Sequence, residues 1–79
     1  MTIEFETVGR VMYVTLLDKK AAKTVEFSSQ TLIDLSKSGE LIGVEILSPN
    51  RSDLRRLAKK YGQPELSRID PGKLFKAIA

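Results

Sequence analysis

Residues 32–49, LIDLSKSGELIGVEILSP, constrain the fold more than any other stretch of this chain. Leu32-Ile33-Asp34-Leu35 and Leu41-Ile42-Gly43-Val44-Glu45-Ile46-Leu47 are rich in apolar and β-branched residues, which fit a pleated, partly buried surface. Ser36 to Glu40 between them is polar, and Ser38-Gly39 supplies a glycine able to take positive φ without steric cost. A hairpin turning on Ser38-Gly39 pairs Leu35 with Ile42, Ile33 with Val44, Asp34 with Gly43 and Leu32 with Glu45. That register places Ile33, Leu35, Ile42, Val44 and Ile46 on one side, and a slip of one residue would lose Ile33 and Leu35 from it.

The segments before the hairpin read as strands too. Thr2 to Thr7 alternates strictly, with Ile3 and Phe5 against Glu4 and Glu6. Val8-Gly9-Arg10 is a turn. Val11 to Leu17 carries apolar residues on both faces: Val11, Tyr13 and Leu17 on one, Met12, Val14 and Leu16 on the other. Such a strand is expected at the centre of a sheet and covered twice, by the C-terminal helices or by a second subunit. Lys23 to Ser28 is the next strand, with Val25 and Phe27 on one face. Short connections favour antiparallel neighbours in chain order. The expectation is a meander of about five strands.

Beyond Ser48-Pro49-Asn50 the pattern becomes helical. Ser48, Asn50 and Ser52 each can cap the first helix. Leu54, Leu57, Ala58 and Tyr61 fall at helical spacing, and Gly62 is a natural stop. Gln63-Pro64 to Ile69 is ambiguous, with room for one turn from Pro64. Asp70-Pro71 starts a last helix striped by Leu74, Phe75 and Ile78. The fold class is α+β: an antiparallel β-meander of about five strands, then two short C-terminal helices. Residues 1–79 form a single domain, a β-sheet unit at 1–49 with a helical C-terminal extension at 50–79.

The hairpin pattern resembles DUF2283, a family of small prokaryotic proteins without an established activity. Arg10 to Leu17 is similar to the aromatic, alternating strand typical of that family, and Lys23-Thr24-Val25-Glu26-Phe27 to its Thr-Val-Glu strand. Gly43 to Leu47 is the most specific part. The resemblance covers about residues 2–49; members stop soon after this strand, so residues 50–79 lie outside it. It implies a β-rich fold and a prokaryotic source. The position of members beside toxin-like genes implies an antitoxin-like role.

Composition narrows the chemistry. The 79-residue chain has no cysteine and no histidine, which removes thiolate-bound metals, disulfides and the commonest general base. No catalytic residue, metal site or cofactor is expected. No glycine-rich phosphate loop stands in the sequence, and no S-x-x-K signature opens a helix. A domain of this size buries only about 60% of its unfolded surface, and oligomerisation is the usual support when staples are missing; a homodimer is expected. No apolar run reaches the roughly 18 residues of a membrane span, and the acidic N-terminus lacks signal-peptide character, which points to a cytoplasmic protein.

Charge is uneven: net −2 over residues 1–49 and +5 over residues 50–79. Arg55, Arg56, Lys59 and Lys60 occupy the helical arc opposite the apolar stripe, with Arg51 nearby. The ordinary reading is a solvated helix face; the functional ones are an acidic protein partner or, less favoured, nucleic acid. Asp34 and Glu45 share the other face of the hairpin, where two carboxylates make a possible polar site for a cation or small ligand, or answer lysines on neighbouring strands. Together these features point to a non-catalytic interaction module with residues 50–79 as the partner-facing element, on a sheet that folds without them.

Overall fold

The apolar alternation is realised in five strands and a helix. The computed structural model describes residues 4–8 and 11–73. The strands are β1 (Glu4–Val8), β2 (Val11–Thr15), β3 (Lys23–Ser28), β4 (Thr31–Leu35) and β5 (Leu41–Ile46). Helix α1 (Arg51–Tyr61) and a 3₁₀ turn (Pro64–Arg68) follow. The predicted turn at Gly9-Arg10 and the stripe of Leu74, Phe75 and Ile78 lie outside the described residues.

The α+β class and the five antiparallel strands agree with the sequence reading, but the order of the sheet is β1-β2-β5-β4-β3. β3, β4 and β5 form a meander, and the β1–β2 hairpin joins it on β5. Neighbours in chain order therefore fail at one place: β2 is not beside β3. Burial explains why. In β5 every residue except Glu45 is buried, whereas Lys23 to Glu26 of β3 are exposed. The most buried strand, β5, takes the centre and the polar β3 goes to the edge; β2, expected at the centre with both faces covered, lies one place out, with Val11, Tyr13 and Thr15 only half-buried. The connection from β2 to β3 spans three strand spacings, about 14 Å, within reach of seven extended residues at about 23 Å. It is tied down on the way by a 2.8 Å bond from Lys19 to Glu40.

The hairpin turn forms where expected. Gly39 takes φ 89°, its N–H donates to the Ser36 carbonyl at 3.0 Å, and the Ser36 N–H donates to the Glu40 carbonyl at 2.9 Å. Leu32–Glu45, Ile33–Val44 and Asp34–Gly43 pair as the pattern predicts. Leu35 pairs with Leu41 rather than Ile42, because a bulge intervenes. The bulge has a use: the Ile42 carbonyl accepts the N–H groups of both Leu16 (2.7 Å) and Leu17 (3.2 Å), where the crossing connection leaves β2. Ile42 is buried, but outside the main apolar cluster.

α1 is capped by Asn50, whose Oδ1 accepts the Asp53 N–H at 3.0 Å, and closed by Gly62 at φ 64°. Its predicted stripe of Leu54, Leu57 and Ala58 is buried, with Tyr61 partly so. With Leu66 and Ile69 these residues meet Met12, Val14, Leu16, Ile33, Leu35, Val44 and Ile46 in one core. The helix thus completes the core of the sheet, so residues 50–69 and the sheet share one core. Asp70 begins the next helical segment as expected, accepting the Lys73 N–H at 3.2 Å. The opposite face of the sheet has no second layer among the described residues. There Val11, Tyr13, Thr15, Leu32, Asp34 and Glu45 are half-buried.

Candidate functional site

On that open face the strands bring four residues into one polar assembly. Asp34 on β4 stands beside Gly43 on β5 and Thr24 on β3. Thr24 Oγ1 donates to Asp34 Oδ1 at 2.5 Å. Tyr13, on β2, donates its hydroxyl to Asp34 Oδ2. Since β5 lies between β2 and β4, the phenol must cross β5, and Gly43 is where it crosses. A Cβ built on Gly43 would sit 2.6 Å from the Tyr13 ring carbon Cζ, inside any ordinary contact. A glycine, otherwise unfavourable within a strand, is required here for close approach.

Glu45 is half-buried in the adjacent row, opposite Tyr13 on one side and Leu32 on the other, and Glu26 ends that row. Asp34 and Glu45 are therefore diagonal neighbours on one face, as the sequence register placed them. The described residues of β2 to β5 on this face include no lysine or arginine to answer them. Among the described residues no three carboxylates come together as a metal-ion site.

The coupling can be measured. Gly43→Ala is expected to push the Tyr13 ring off its path and to break its bond to Asp34. In a double-mutant cycle with Tyr13→Ala the two should interact by about 1 kcal/mol. Additive losses would mean that the ring does not depend on Gly43.

The basic residues of α1 are more dispersed in role than their spacing indicates. Arg51 pairs with Asp70 at 2.8 Å. Arg56 donates to Asp53 and lies over the Phe27 ring, 4.9 Å from its centroid. Lys60 sits 5.7 Å from the Tyr61 centroid. Arg55 and Lys59 are exposed on the outer face. Of the five cations read as one surface, two are thus held by carboxylates of the chain itself.

Asp53 was not singled out by sequence. It is 1% exposed, and its carboxylate accepts from Ser28, from Thr31 at 2.7 Å and from Arg56. It therefore clamps α1 to β3 and β4. Burial pushes this carboxyl upward. The three hydrogen bonds and the Arg56 charge outweigh that push and hold it below the ordinary carboxylate range. The spacing Asn50-x-x-Asp53 is that of a capping pair and would have located Asp53 at the start of α1. Nothing local would have shown that its side chain turns to the sheet. Tyr13 was missed because the β2–β5 pairing that brings it to Asp34 departs from chain order; Thr24 and Gly43 flank Asp34 in chain-order pairings, but nothing local marks them as site residues until the Tyr13 ring is placed.

Fold and site together define a small α+β module, its sheet covered by a helix on one side and, among the described residues, by no second layer on the other. The chain belongs to the DUF2283 family, a family of unknown function whose model matches residues 9–48. The match ends before α1 and includes Tyr13, Thr24, Asp34, Gly43 and Glu45. No curated protein and no solved structure matches the chain. No helix among the described residues is long and apolar enough to cross a membrane.

Proposed function

We propose that the chain is a non-catalytic protein-interaction module that holds a basic segment of a partner protein on the open face of its sheet. The observation that supports this reading best is Asp34, a carboxylate fixed by Tyr13 and Thr24 on a face that α1 leaves uncovered. A pre-oriented acceptor loses little freedom on binding, and an ionised carboxylate keeps lone pairs for a bidentate arginine. Glu45 and Glu26 add charge of the same sign, and half-buried Val11, Tyr13 and Leu32 add apolar area. Lack of histidine and cysteine argues against catalysis. The acidic partner read from the helix loses support, because Arg51 and Arg56 are paired within the chain. The same pairing weakens the nucleic-acid reading. The antitoxin-like form, with a toxin-like protein as partner, rests on the family resemblance.

Fluorescence anisotropy at low salt with three labelled probes tests the proposal: an arginine-bearing peptide, an acidic peptide and a DNA duplex. The basic peptide is expected to bind, and Asp34→Asn with Glu45→Gln to weaken it about tenfold, equivalent to about 1.4 kcal/mol. Arg55→Glu with Lys59→Glu should not weaken it. Failure of the basic peptide to bind, or tight DNA binding abolished by the helix pair, would sink the proposal.

A further inference from the structure

We propose that the chain pairs with a second copy of itself through β3, edge to edge and antiparallel, with Val25 opposite Val25. β3 lies at one end of the sheet, so its outward amide groups are a template for another strand. It has six residues and no proline, and Lys23 to Glu26 are exposed. Val25, at its middle, is 38% exposed, one of two large apolar residues so exposed among those described.

The register follows from the residues. In a two-fold pairing of antiparallel strands, opposed residues share a face of the sheet. Val25 opposite itself buries the exposed valine against its equivalent. It also sets Thr24 opposite Glu26 and Lys23 opposite Phe27, so no like charges oppose. A shift of two residues one way opposes Glu26 to Glu26, which is repulsive. The shift the other way leaves Val25 against Lys23. The Arg56 guanidinium over Phe27 does not forbid the approach of Lys23, because Asp53 answers its charge. The bulge between Glu26 and Ser28 lies at the far end of the strand, leaving residues 23–26 in regular register. Both α1 helices then lie on the same side, and the two open faces join into one continuous surface. A small domain without disulfides gains the support that a second subunit gives.

The absence of cysteine makes the test clean. Directly opposed residues of an antiparallel pair are about 4.5–5.5 Å apart at Cα, within disulfide range. Val25→Cys in the full chain is expected to form a covalent dimer under mild oxidation. Its rate should exceed that of Leu47→Cys or Lys20→Cys on the order of tenfold or more, since pairing raises the effective thiol concentration. Sedimentation of the unmodified chain should give a dimer mass, and Val25→Lys a monomer with unchanged far-UV circular dichroism. Equal cross-linking of all three variants, faster cross-linking of Leu47→Cys, or a monomeric unmodified chain at high concentration would each overturn the proposal.

Discussion

A chain ending at Pro49 is expected to lose cooperative folding altogether. Leu54, Leu57 and Leu66 are each at most 1% exposed and pack with Ala58 and Ile69 on the same side of the sheet. At about 2 kcal/mol each, the three leucines alone contribute about 6 kcal/mol of burial. A domain of this length has a total stability of about 4–12 kcal/mol. Removal of the helix also returns Met12, Val14, Ile33 and Val44 to water. Urea unfolding followed by circular dichroism checks this: the truncated chain should show no sigmoidal transition, whereas the full chain should show one. A cooperative transition in residues 1–49 would mean that the sheet has a second means of covering its apolar face.

Asp53→Ala should be the most damaging single polar substitution. It leaves the Thr31 hydroxyl, itself 1% exposed, without its acceptor, and frees Ser28 and Arg56. Orphaning such buried groups is expected to cost about 3 kcal/mol, or a fall in melting temperature of about 12–24 °C for a domain of this size. Ser28→Ala, which removes one donor, should cost about 1 kcal/mol. The same carboxylate sets a pH dependence. Its folded-state pKa is lowered, so the folded form binds its proton less readily than the unfolded form. Its stabilisation is therefore complete above the ordinary Asp value of about 3.9 and is lost as pH falls through the lower folded value. Thermal melts from pH 6 down to pH 2 should decline in that acid range, and the part of the decline due to Asp53 should vanish in Asp53→Asn. An unchanged acid limb in that variant would show that other carboxylates control it.

Local signals in the sequence were strong enough to place most elements. Glycines at 39 and 62 mark the turn and the helix stop because only there does the backbone take positive φ among the described residues. The alternation of Ile33 with Leu35 and of Val44 with Ile46, and the helical spacing of Leu54, Leu57 and Ala58, identify the core, since burial acts on one face at a time. Pairing across long sequence separation was not legible. Short connections favoured β2 beside β3, yet the most buried strand, β5, took the centre. The bulge at Ile42 depends on hydrogen bonds to Leu16 and Leu17 that no local pattern announces. The candidate site shared that fate. Asp34 and Glu45 were found because the hairpin register is local, and their common face holds in the structure. Tyr13 reaches Asp34 only because β2 pairs with β5 against chain order, whereas Thr24 lies on the strand next to β4 in chain and sheet alike. Arg51 and Arg56 looked free because their acidic partners, Asp70 and Asp53, engage them only in the folded chain.

The proposed function puts a basic partner segment on the sheet face centred on Asp34. Amide chemical-shift mapping of the full chain with the arginine-bearing peptide tests it most directly. The largest shifts are expected at Tyr13, Leu32, Asp34, Gly43 and Glu45, with little change from Arg55 to Lys60. Shifts concentrated on α1, with the sheet face silent, would contradict it.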